Sequence, residues 1–153
     1  MLRLFLLLLI TLSLSACTST NLQTYAPIDK RAKTITVTAG SSGLKGAIKK
    51  ALSAQGWKMS VYSGPEVLEG SAGEKVSLKK YSTSNTRYTL DGYGVRVDDC
   101  LSFKDGNIFV PDLTYDIAII DNKTGSEVLT MSGRGCQDEV VDALMKAVNG
   151  EKE

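Results

Sequence analysis

Apolar and polar positions change rhythm several times along this chain. Thr34-Ile35-Thr36-Val37-Thr38 alternates and is β-branched throughout, which predicts a strand. Gly40-Ser41-Ser42-Gly43 interrupts it. Leu44, Ala47, Ile48, Ala51 and Leu52 then recur at i, i+3, i+4, i+7 and i+8, the stripe of an amphipathic helix. Ser41 or Ser42 is a fitting N-cap for it, and Gly56 a fitting end. Trp57, Met59 and Val61 alternate as a second strand, and Val76 and Leu78 suggest a third.

The next stretch, Thr86 to Val97, reads as a longer strand with a phase slip. Tyr88 and Leu90 share one parity, whereas Tyr93, Val95 and Val97 share the other. A bulge at Asp91-Gly92 would return both sets to one face. Leu101–Phe103 and Ile108–Val110 flank Lys104-Asp105-Gly106-Asn107, an Asp-Gly hairpin signal. Leu113, Tyr115, Ile117 and Ile119 alternate, Asp121–Gly125 turns the chain, and Val128–Met131 returns it. Val140, Val141, Leu144, Met145 and Val148 form the stripe of a last helix, with Asp138 as its cap and Gly150 past its end. The order β-α-β-β-β-β-β-α predicts an α+β domain. Its sheet is mostly antiparallel, with two amphipathic helices on one face. A single domain over residues 34–150 fits the length.

The start of the chain follows a different logic. Arg3 precedes Leu4 to Leu14, an apolar block. A membrane span needs about twenty residues, so this block has the length of a signal-peptide core instead. Leu14-Ser15-Ala16-Cys17 follows directly. These four residues resemble the lipobox of bacterial lipoprotein precursors. The resemblance implies removal of residues 1–16 and a diacylglycerol on the Cys17 sulfur, usually with a further acyl chain such as palmitate on its amino group. Two or more chains anchor a protein stably to a membrane. In that class an Asp after the cysteine implies inner-membrane retention. Thr18 stands there, which implies the periplasmic side of the outer membrane. Thr18 to Lys33 is polar without an apolar period, so residues 17–33 are expected to be a lipidated N-terminus and flexible tether. As coil, such a tether reaches roughly 22 Å. In length, lipobox and element order the chain is also similar to small enterobacterial lipoproteins of the YafY and YfjS type, through Thr34–Thr38, Gly56-Trp57-Lys58 and Ile119-Ile120-Asp121-Asn122. Their molecular role is undefined, so that resemblance transfers no active residue.

Composition narrows the chemistry. The chain has 153 residues, 18 basic and 17 acidic, with a net charge of +1 and no histidine. Near-neutral charge excludes a strongly basic nucleic-acid binder. The lack of histidine removes the commonest general base and metal ligand and rules out a Ser-His-Asp triad. With Cys17 lipidated, Cys100 and Cys136 remain, an even number in an oxidising compartment, and a disulfide is expected between them. Closing that loop of about 37 residues is worth about 3.8 kcal/mol on chain-entropy grounds.

Other sites are sparse. Gly40-Ser-Ser-Gly43-Leu-Lys-Gly46 matches neither the dinucleotide fingerprint nor the P-loop, and reads as a capped turn. Asp98, Asp99, Asp105, Asp112, Asp116 and Asp121 do not have calcium-loop spacing and read as solvated strand ends. No metal or other cofactor is therefore expected. The favoured function is a noncatalytic binding or interaction domain on an envelope lipoprotein. The alternative is a cell-wall enzyme using a carboxylate pair or a Ser42–Lys45 dyad. Charge is uneven. From Cys17 to Arg96 there are 12 basic and 5 acidic residues, and from Val97 to Glu153 there are 5 and 12. Lys45, Lys49 and Lys50 fall on the polar side of the first helix and are the candidate contacts with anionic head groups, peptidoglycan or an envelope protein.

Overall fold

The computed structural model describes residues 19–62, 85–102 and 109–151. The expected leader, Cys17, the expected strand at Val76 and Leu78, and the expected Lys104–Asn107 turn lie outside them. Among the described residues no helix is long and apolar enough to cross a membrane.

One six-stranded sheet organises the domain, in the order β1-β6-β5-β4-β2-β3. The strands are β1 (Ser19–Thr24), β2 (Thr34–Thr38), β3 (Lys58–Tyr62), β4 (Tyr88–Leu101), β5 (Phe109–Asp121) and β6 (Ser126–Cys136); the helices are α1 (Gly43–Ala54) and α2 (Gln137–Val148). β4, β5 and β6 form an antiparallel meander, with β1 antiparallel on its outer edge. β2 pairs parallel with both β3 and β4, and α1 makes the β2–β3 crossover. The architecture is the expected α+β one.

Both helices cover one face. α1 buries Leu44, Ile48 and Leu52, and α2 buries Val140, Leu144, Met145 and Val148. They close over Ile35 and Val37 of β2, Tyr88 and Leu90 of β4, Leu113 to Ile119 at alternate positions of β5, and Leu129 and Met131 of β6. Each fully buried aliphatic side chain here is worth about 1.5–3 kcal/mol. Trp57 packs edge-on to Tyr88 with ring centroids 6.0 Å apart.

Two local expectations are corrected. The tether is not coil throughout, because Ser19 to Thr24 is strand β1, paired with Arg134 to Leu129. Its side chains are nearly all exposed, so it carries no apolar rhythm. Main-chain bonds to β6 hold it, and those need no side-chain pattern. Ser19 to Thr24 thus belong to the sheet, and Ile28 to its core. The bulge is not at Asp91-Gly92. Pairing with β5 stays regular from Tyr88 to Arg96 and shifts only between Arg96 and Asp98. Uninterrupted alternation sends Tyr93 and Val95 to the side away from the helices, where they are exposed. The hairpin expected from Leu101–Phe103 and Ile108–Val110 falls where β4 meets β5: Leu101 and Phe109 are their last described cross-strand pair, and the Lys104–Asn107 turn itself lies outside the described residues.

Capping also differs in detail. Ser42 is the N-cap of α1 without a side-chain bond, and Cys136 takes that position in α2. Asp138 sits inside the first turn of α2 and accepts the Ser102 hydroxyl. Gly56 and Gly150 end the helices at positive φ, as their positions imply.

Candidate functional site

Strand directions bring several singled-out residues to one end of the sheet. β1 starts there, β4 and β6 end there and β5 begins there. Ser19, Arg134, Thr114 and Val95 form one cross-strand row at this end. β2 runs parallel to β4, so its exit into α1 is at the same end. Leu44, in the first turn of α1, lies directly over Gly94, where an added Cβ would stand 2.7 Å from its methyl group.

Cys100 and Cys136 are disulfide-bonded, with Cα atoms 5.7 Å apart. The bond ties the ends of β4 and β6, which flank β5, at the entry to α2. The Ser102–Asp138 hydrogen bond repeats that tie one step further on.

The three lysines are not equivalent. Lys50 is exposed, while Lys45 and Lys49 are half-buried. Lys49 Nζ donates to the Gly40 carbonyl at 2.5 Å, which braces the turn ahead of α1. All three lie off the buried Leu44–Ile48–Leu52 stripe of α1, and Lys49 is already engaged by the main chain. The glycine-rich entry is a turn built on close approach. A Cβ on Gly46 would lie 2.0 Å from the Ser41 carbonyl oxygen, so that position admits only glycine.

The carboxylates need a second correction. Asp112 and Asp121 are buried rather than solvated. Burial of an anion requires a partner. Arg134 holds Asp112 through Nε at 2.8 Å and Nη2 at 2.5 Å, and Arg87 holds Asp121. Arg87 also lies 5.4 Å from the Tyr88 ring centroid. The Arg87–Asp121 and Arg96–Asp99 pairs both join the basic segment to the acidic one. The two charge halves thus interleave within the sheet. Asp29 has its carboxyl held below the usual range, first by the backbone N–H of Arg31 at 2.9 Å and then by that residue's charge.

Among the described residues, no three Cys, Asp or Glu side chains stand close enough to hold a metal ion. An open cleft of about 470 Å³ lies between the Thr24–Ile28 segment and the end of α2. Lys30 is its one charged lining residue, and neither Ser42 nor Lys45 reaches it. What sequence reasoning missed is the exposed apolar set along β4 and the start of β5: Tyr93, Val95, Val97, Leu101 and Phe109. The odd-parity run from Tyr93 to Val97 was the available signal.

No protein-family model matches the chain, and no curated protein matches it. Solved structures do. PelC of Paraburkholderia phytofirmans, in a dodecamer, superposes with a TM-score of 0.50 and 16% identity over 86% of this chain and 94% of its own. A second PelC dodecamer from the same organism gives 0.47 and 16% over 85% and 94%. The likeness is one of fold.

Proposed function

We propose that this protein is a lipid-anchored envelope lipoprotein, cleaved before Cys17, with a noncatalytic interaction domain facing the periplasm from the outer membrane. The observation that carries the reading is the junction of lipobox and fold. Leu14-Ser15-Ala16-Cys17 is followed by β1 from Ser19. The lipid attachment point and the sheet are therefore almost contiguous, an arrangement suited to holding a domain against a membrane. The Cys100–Cys136 disulfide supports an oxidising compartment. Paired acids and a cleft with a single cation support binding over catalysis. PelC, of the same fold, is a protein that assembles as a dodecamer. Lys45 and Lys50 are the proposed contacts with anionic head groups, peptidoglycan or an acidic face of an envelope protein. An exposed lysine near an anionic surface is worth about 1 kcal/mol and its effect fades within a Debye length.

Metabolic labelling with palmitate tests the anchor. The wild type should incorporate label and fractionate with the outer membrane, and Cys17→Ser should do neither. Equal labelling of both ends the lipoprotein reading. Thr18→Asp should shift the protein toward the inner membrane. Lys45→Gln with Lys50→Gln should abolish low-salt binding of the unlipidated chain to purified sacculi or anionic vesicles. Binding equal to that of the wild type would remove these lysines from the interaction.

A further inference from the structure

We infer that the open cleft between the Thr24–Ile28 segment and the end of α2 binds a single-chain fatty-acid carboxylate, its apolar chain along Ile28 and Val148 and its head group on the Lys30 ammonium. The inference rests on the binding reading proposed above and names a ligand class for it. It is independent of lipidation at Cys17.

Three observations converge on it. The first is the wall. The cleft measures about 470 Å³, inside the range of about 300–1,000 Å³ usual for small-molecule sites. Ala26, Ile28, Ala147 and Val148 line it with aliphatic groups, and the Tyr25 ring, 58% exposed, stands at its edge. Ile28 and Val148 belong to the hydrophobic core, so the floor of the cleft is the outer surface of that core. An apolar chain laid on it sheds hydration with no rearrangement of the core. The second observation concerns hydrogen-bond donors. The Tyr25 and Ala26 N–H groups both go to the Val128 carbonyl, at 2.9 and 3.3 Å, and the Gly150 N–H returns to the Ala147 carbonyl at 3.0 Å. Pro27 has no N–H. The Tyr25 hydroxyl donates to Gln23 Oε1 at 2.6 Å. A peptide strand draws its hold from main-chain bonds, and a sugar needs polar groups set around it. Those donors are spent here, and a hydrocarbon chain asks for none of them.

The third observation is charge. Among the described residues that line the cleft, Lys30 alone is charged; it is exposed and joins no ion pair among them. The acids closest to it and to the end of α2 along the chain are engaged. Asp29 holds the Arg31 main chain at 2.9 Å and its guanidinium at 3.5 Å, and Glu151 takes the Asn149 side-chain amide at 3.5 Å. A lone ammonium, with no second cation and no guanidinium fork, suits a singly charged head group. A doubly charged phosphate would call for more donors. An aliphatic floor and one cation at its edge together select an amphiphile with a single carboxylate.

The test is calorimetric titration of the unlipidated chain from residue 17, with Cys17→Ser, which contains every described element. Octanoate, decanoate and dodecanoate are the probes, each below its micelle-forming concentration. The expected result is one site that tightens by up to about fourfold per added methylene. Lys30→Gln, at an exposed position, should weaken decanoate binding about fivefold and leave decanol binding unchanged. Decanoate should slow amide hydrogen exchange in residues 25–30 and 147–150. Thr24→Trp puts an indole in the cleft and should abolish binding of every probe. The slow amides of Leu113–Ile119 report the fold in each variant; if Thr24→Trp loses them, Tyr25→Ser, at an exposed ring, tests the same wall and should weaken all probes. No binding by a monomeric chain overturns the inference. No binding by a chain that sediments as a multimer makes the occupant a second copy and also overturns it. Protection gained elsewhere, or decanoate binding unchanged in Lys30→Gln, does the same. Lysophosphatidylglycerol bound more tightly than dodecanoate makes the head group a phosphodiester and overturns the carboxylate. None of these outcomes bears on fatty-acid labelling at Cys17 or on Lys45 and Lys50, so failure here leaves the anchor standing.

Discussion

Gly133→Ala should release β1 from the sheet without unfolding the domain. Gly133 pairs with Thr20 and has φ +150°. A Cβ built there would stand 1.8 Å from the Ser19 carbonyl oxygen and 2.8 Å from its carbon. Even weak C–H···O contacts keep about 3.3 Å, so β1 must retreat by about 1.5 Å at the point where it enters the sheet. The positive φ adds about 1–3 kcal/mol for any residue with a Cβ. Two disrupted ladder bonds add about 0.5–1.5 kcal/mol each. The combined cost of about 2–6 kcal/mol falls on an edge strand whose apolar hold is only Leu22, partly buried, with Ala26 and Ile28 beyond it. Beyond the sheet bonds, release of β1 takes from the rest of the core the Thr20–Tyr115 hydroxyl contact of 3.0 Å and the Leu22 packing. Amide hydrogen exchange reads the outcome strand by strand. In the wild type Ser19–Thr24 should be protected, and in the variant they should exchange at coil rates while Leu113–Ile119 remain slow. Coil-like exchange of β1 in the wild type would refute its place in the sheet. Undiminished protection in Gly133→Ala would refute the steric argument.

The remaining expectations concern the ties that hold the strand ends and buried charges. Non-reducing mass analysis should find Cys100 linked to Cys136, and Cys136→Ser should lower unfolding stability by about 2–4 kcal/mol in urea titration; two alkylatable thiols in native protein would contradict it. Arg87→Met leaves the buried Asp121 carboxylate without its cation and should cost about 3–5 kcal/mol, whereas Arg87→Met with Asp121→Asn should recover much of that. Additive losses would mean the pair is not coupled. Asp29 titrates below its ordinary value of 3.8 in the folded chain, so the stabilisation it gives is present above that value and fades as pH falls through the lower folded one. Asp29→Asn should flatten that acid-side slope in a pH series of thermal melts, and an unchanged slope would assign the acid sensitivity elsewhere.

Much of the fold was legible in the chain. Thr34–Thr38 and the alternation from Leu113 to Ile119 bury alternate residues against helices, and the stripes of α1 and α2 do the same at helical spacing. In those elements one face meets the core, so burial writes its period into the sequence. The proposed lipobox, Leu14-Ser15-Ala16-Cys17, is a reading of another kind, because such a signal is a linear segment that needs no fold. Tertiary structure decided the rest. β1 has no apolar period because neighbouring main chain, not side-chain burial, holds it. Asp112 and Asp121 could be read as solvated until Arg134 and Arg87 were brought beside them by strand pairing. The Tyr93–Val97 run invited a bulge that would have buried it. Regular pairing through Arg96 kept the alternation intact and turned those side chains away from the helices. Register is a relation between strands distant in sequence, so the chain alone announced the apolar residues but not the face they occupy, nor that they stand at the end where β1 begins.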